Sequence, residues 1–160
     1  MLLKKDKVVY PYQGAGWIKD VTSLILNGEK VDYYEVAFVD SDVTVSIPVS
    51  KAEELGLREL PSQAEVEEAL VHLGKRVKLN SEKLEVLKTM STKDINTTDM
   101  KVIIDVINTI VSYDKTREQS LGVVLHRVLQ YSKQFIRSIS IAALGESVLT
   151  KYPLLERVDE

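Results

Sequence analysis

Apolar residues recur at every second position up to about residue 60 and at helical spacing beyond it, and the change of period falls on one proline. Immediately after Pro61 comes Ser62-Gln63-Ala64-Glu65, a capping box: a hydroxyl for the orphan backbone donors of a helix start and a glutamate that reaches back. A chain with this switch folds in two styles. The expected class is α+β in two parts, with residues 1–61 a β-rich unit and residues 62–160 an all-α unit. Units of this size bury a modest share of their surface, so each gains from docking on the other.

Before the proline, punctuation residues cut the chain into short strands. Asp6 to Tyr10 stops at Pro11, and a second run, Trp17 to Leu26, follows the turn-like Gly14-Ala15-Gly16. It ends at Asn27-Gly28, the strongest two-residue hairpin signal. A third strand begins near Lys30 with Tyr34, Val36 and Phe38 on one face, and a fourth carries Val43, Val45 and Ile47 after the Asp40-Ser41-Asp42 turn. Ser50 to Leu55 reads as a helical turn stopped by Gly56, and Leu57 to Leu60 as a fifth strand. Five short strands in a meander predict a small Tudor-like or SH3-like β-barrel.

Beyond the proline the stripes have helical period. Val66, Ala69, Leu70 and Leu73 share a face, as do Leu84, Leu87 and Met90. Met100 to Tyr113 repeats Val102, Ile103, Val106, Ile107 and Ile110; Leu121 to Leu144 repeats Leu121, Val124, Leu125, Val128, Leu129, Phe135, Ile136 and Ile139. Such wide stripes predict a helical bundle core.

Composition narrows the function. With 44% apolar and 28% charged residues in 160, the chain is globular in character, and its zero cysteines exclude disulfides, thiolate metal sites and cysteine nucleophiles. The N-terminus lacks the apolar run of a signal peptide and no stretch approaches a membrane span, so a cytoplasmic, membrane-free protein is expected. His72 and His126 have no ligand partner at helical spacing, Lys19 stands where a dinucleotide fingerprint needs its third glycine, and neither a P-loop nor a nucleophile elbow occurs. The chain is therefore expected to be no enzyme and to need no cofactor. Its net charge of -3 hides local basic stretches: Val71 to Lys93 has six basic residues against two acids, and Gln119 to Gly145 has Arg127, Lys133 and Arg137 with no acid.

Several of these segments, in order, carry a resemblance: Lys7-Val8-Val9-Tyr10-Pro11, Gly14-Ala15-Gly16, Gly28-Glu29-Lys30 with Tyr33-Tyr34, Ile47-Pro48-Val49, and Ala52-Glu53-Glu54-Leu55-Gly56-Leu57-Arg58. Together they resemble the CarD family of bacterial transcription regulators, whose N-terminal module is similar to the polymerase-interacting module of transcription-repair coupling factor. The resemblance implies a Tudor-like domain that grips the β subunit of RNA polymerase. It also implies a helical domain that touches promoter DNA at the upstream edge of the melted region and stabilises the open complex.

On that resemblance Leu24, Leu26, Ser46 and Pro48 map to the polymerase-facing surface, with Leu24 and Ser46 standing where some members have arginine. Read from the residues alone, Leu24 and Leu26 serve equally well as barrel core. The DNA-facing set is Lys75, Arg76, Lys78, Arg127 and Lys133, joined by Leu79 or Leu84, one of which takes the place of a family tryptophan that wedges into the bubble edge. The expected protein is a monomer whose contact with promoter DNA is weak and polymerase-assisted. The alternative is a polymerase- or protein-binding adaptor without productive DNA contact.

Overall fold

The computed structural model describes residues 2–116 and 121–156. Its N-terminal part is one antiparallel sheet of β1 (Lys7–Tyr10), β2 (Gly14–Leu26), β3 (Glu29–Phe38), β4 (Ser41–Pro48) and β5 (Arg58–Glu59), in the order β4-β3-β2-β1-β5. Asn27 and Gly28 both take positive φ, as a two-residue hairpin loop needs, and they set the register Leu26↔Glu29 from which the pairing of β2 and β3 runs. A 3-10 turn at Val49–Lys51 and further turns up to Gly56 carry the chain from one sheet edge to the other. No ladder joins β4 to β5, so the expected barrel takes the form of a curled sheet with two edges. Its concave face buries Val8, Ile18, Tyr34, Val36, Phe38 and Ile47, and Ala52 and Leu57 from the edge-to-edge connection complete this core.

Gly14-Ala15-Gly16 is strand rather than turn: Gly14 and Gly16 pair with Tyr10 and Val8. A side chain at Gly16 would collide with the carbonyl of Ala37 on β3, so close strand approach explains that glycine. Val43, expected on the inner face with Val45 and Ile47, is exposed; the register slips near Ala37 and Phe38, and β4 is an edge.

The helical part comprises α1 (Gln63–Leu70), α2 (Ser81–Thr89), α3 (Met100–Thr116), α4 (Val123–Leu144) and α5 (Val148–Lys151). Ser62 caps α1 as its sequence implies, accepting from the Glu65 backbone N–H at 3.2 Å and donating to the Glu65 carboxylate at 3.1 Å. The long helices α3 and α4 form the core with Ile103, Ile107, Ile110, Val128, Ile136 and Ile139, all inaccessible to solvent. Val102 and Val124, assigned to those stripes by sequence, are exposed instead. Val102 directly precedes the buried Ile103, and the 100° turn per residue rotates it out of the contact; Val124 lies in the first turn of α4, ahead of the buried residues, which begin at Val128. Among the described residues no helix is long and apolar enough to cross a membrane.

The two parts share one core. Val9 and Ala15, paired across β1 and β2, lie on the convex face of the sheet and belong to the helical cluster, while their neighbour Val8 points into the curl. Helix α4 lies over this end of the convex face. There the Ser138 hydroxyl accepts from the Ala15 N–H at 3.0 Å and donates to the Phe135 carbonyl at 2.7 Å. Gly14, at φ +88°, leaves room for Ser138 where any Cβ would collide with it. Arg137 pairs with Asp40 at 2.9 Å, and Lys7 donates to the Ala142 carbonyl at 2.9 Å. A fragment ending at residue 61 would expose Val9 and Ala15 to water.

Candidate functional site

Helix α4 covers only part of the convex sheet face. Directly opposed residues in an antiparallel ladder share a face. The register Thr22↔Tyr33, Leu24↔Val31, Leu26↔Glu29 and Asp20↔Glu35, continued by Tyr33↔Pro48 and Glu35↔Ser46, therefore puts Leu24, Leu26, Ser46 and Pro48 on the same convex face. Two strands, β2 and β4, placed on either side of β3, thus bring together the four residues assigned to polymerase. Leu24 and Leu26 are 54% and 48% exposed, so they are surface and not barrel core. Ser46 is exposed and Pro48 half-buried on β4, whose outer side pairs with no other strand among the described residues.

Glu35 lies at the middle of this face and was not anticipated from sequence. Its carboxylate accepts from the Ser46 hydroxyl at 2.8 Å and from the Thr22 hydroxyl at 3.2 Å, one neighbour on each flanking strand. The signal was available: once Asn27-Gly28 sets the hairpin register, counting back by twos from Leu26 and forward from Glu29 places Glu35 on the face of Leu24. Beyond the ends of β1 and β4 the hairpin continues as a two-stranded ribbon, and Ile25 at its tip is 77% exposed on the opposite face.

The residues assigned to DNA do not converge in the same way. Lys75, Arg76 and Lys78 are exposed in the segment between α1 and α2. That segment is docked on α3, where the Asn108 side chain accepts from Gly74 N–H and donates to the His72 carbonyl, both at 2.8 Å, and the Ser112 hydroxyl accepts from Val77 N–H at 2.9 Å. Lys75 itself donates to Nδ1 of His72 at 3.2 Å. Asn80 caps α2, accepting from Lys83 N–H at 2.8 Å. This puts Leu79 and Leu84 at the two positions that pack against each other as a hydrophobic staple. Both are half-buried and neither joins the helical core cluster.

Arg127 and Lys133 sit six residues apart on α4, which turns them about 120° away from each other. Arg127 is exposed. Lys133 is half-buried, and the loss of hydration lowers its pKa, partly offset by the charge of Asp114. Arg137, the third basic residue of that run, is committed to Asp40. The run as read began at Gln119, and its first two residues lie outside the described part. Nearby, Tyr131 packs between Tyr12 and Phe135, and burial pushes its hydroxyl pKa up to about 12.

Comparison with known protein families matches residues 2–60 to the CarD-like/TRCF RID domain, RID being the RNA polymerase-interacting domain. The matched span covers the whole curled sheet, from the segment before β1 to the end of β5, and stops at Leu60 beside Pro61. Over residues 2–60 the chain is thus similar to the CarD-like/TRCF RNA polymerase-interacting domains.

Proposed function

We propose that this chain is a bacterial, cytoplasmic transcription regulator of the CarD kind, acting as a monomer. It holds the β subunit of RNA polymerase on the open convex face of residues 1–61 and lays residues 62–160 against promoter DNA near the upstream edge of the bubble, modulating open-complex stability. The observation that carries this reading is the convergence of Leu24, Leu26, Ser46 and Pro48 on one uncovered face within the matched domain. A partner strand added to the free side of β4 gains main-chain hydrogen bonds, while the convex side chains supply specificity. The shared core and the bonds of α4 to β1 and β2 support a fixed geometry, so that anchoring one part aims the other.

On the DNA side, Lys75, Arg76, Lys78 and Arg127 are exposed cations suited to phosphate oxygens, which position a duplex without reading it. Leu79 and Leu84 offer apolar contact but no flat ring to stack on a base. The test is a promoter footprint and open-complex lifetime with cognate polymerase. Protection should extend upstream of the melted region when the protein is added, and Lys78→Glu with Arg127→Glu should return the lifetime toward that of polymerase alone. Without polymerase, duplex binding should be weak, at about 10⁻⁴ to 10⁻⁶ M or weaker, and should fall steeply with salt in a titration. Tethering supplies the effective concentration that such a site needs.

A second reading, a polymerase-binding adaptor without productive DNA contact, is favoured by one observation: Lys133 is half-buried and turned away from Arg127, so α4 presents no continuous basic stripe. An unchanged footprint with the protein bound to polymerase would select it.

A further inference from the structure

We propose that the polymerase segment docking on the convex face is a β-strand carrying lysine or arginine opposite Ser46, so that its cation meets Glu35. This rests on the polymerase reading and adds the chemistry of the partner. In the rows set by the ladder, Asp20, Glu35 and Ser46 stand side by side; the next row is Thr22, Tyr33 and Pro48, then Leu24 and Val31, then Leu26 and Glu29. The face therefore holds three carboxylates around an apolar centre. Lys19, the bulged residue beside Asp20, is the cation at its margin, and the other ladder positions in these rows hold no lysine or arginine.

Glu35 is held by neutral hydroxyls only. Among the described residues no lysine or arginine forms an ion pair with it. A carboxylate fixed in place by two hydroxyls, half-buried and without a counter-charge, is arranged to receive one from outside the chain. The free side of β4 supplies the direction. A strand pairing there places one side chain beside Ser46, roughly 10 Å across two strand spacings from β3. A lysine or arginine stem spans much of that distance over apolar surface and leaves its charged head at Glu35. A short or acidic side chain at that place would leave Glu35 unpaired and desolvated.

The test measures the affinity of the full-length protein for cognate RNA polymerase at several salt concentrations. Wild type should bind and weaken as salt rises from about 0.05 to about 0.3 M, where screening shortens the reach of charge. Glu35→Gln should weaken binding several-fold and flatten the salt dependence, and Glu35→Lys should weaken it by more than about tenfold. Because Glu35 also ties three strands together, each variant is checked by thermal melting. If Glu35→Lys does not fold, Ser46→Lys decides, since Ser46 is exposed on the edge strand directly beside Glu35 and would set a like charge where the partner's cation lies; it should cost about threefold or more. Wild-type binding that is insensitive to salt, or lysine variants that bind equally or better, would overturn a basic partner while leaving polymerase binding intact. Absence of wild-type binding to polymerase would overturn both.

Discussion

Replacing Arg137 by alanine is expected to lower stability by about 2–4 kcal/mol, a large loss for a residue outside the apolar core. Its guanidinium pairs with Asp40 at 2.9 Å, and the two side chains retain only 19% and 14% of their exposure. Removing the cation leaves the Asp40 carboxylate shielded from water, with its second oxygen already lacking a protein partner. That uncompensated charge, more than the lost attraction, sets the magnitude, and partial exposure places it at the lower part of the range for buried pairs. In a thermal scan the midpoint should fall by roughly 5–15 °C. Asp40→Asn added to Arg137→Ala should recover part of the loss, because it removes the stranded charge. An unchanged midpoint in Arg137→Ala would mean that the junction between sheet and α4 rests on Ser138, Val9, Ala15 and the Lys7 contact rather than on the ion pair.

Leu24→Lys combined with Leu26→Lys is expected to abolish detectable co-purification with RNA polymerase, a loss of more than about a hundredfold in affinity. Both leucines are about half exposed and make no core contact in the curl, so the double variant should melt close to wild type. Binding would have to bury two ammonium groups where it now buries methyl groups, and neither the apolar gain nor the charge cost can be recovered elsewhere. Leu24→Ala should give a smaller, salt-independent loss, which separates the apolar contribution from charge. A folded double variant that co-purifies undiminished would remove the convex face from the interface.

Much of the architecture is local and was legible in the residues. Asn27-Gly28 specifies a two-residue loop with positive φ, Ser62 and Glu65 specify a helix start, and the period of two through Tyr34, Val36 and Phe38 specifies an inner face. The same counting places Leu24 and Leu26 together on one side of the hairpin, and it places Glu35 with them. Each of these follows from backbone geometry over a few residues, which is why a sequence can state it.

Periodicity defines a face without saying what covers it. Val8 and Val9 are adjacent and both buried, one inside the curl and one under α4, and only docking of the helices distinguishes them from a strand with one wet side. Likewise Val102 and Val124 read as stripe residues yet face solvent, because a stripe wider or longer than its partner leaves its margin or its end uncovered. Arg137 read as part of a basic run and Asp40 as a turn residue, but they form an ion pair across 97 positions. Ser138 reaches Ala15 across 123, and Gly14 is needed because Ser138 arrives there. Lys133 looked like a surface cation until packing took away its hydration. By itself the sequence determined most of the elements, their order and most of the side chains that share a face. Tertiary structure decided which faces meet each other and which stay open to a partner, because burial is a property of residues distant in the chain that come into contact.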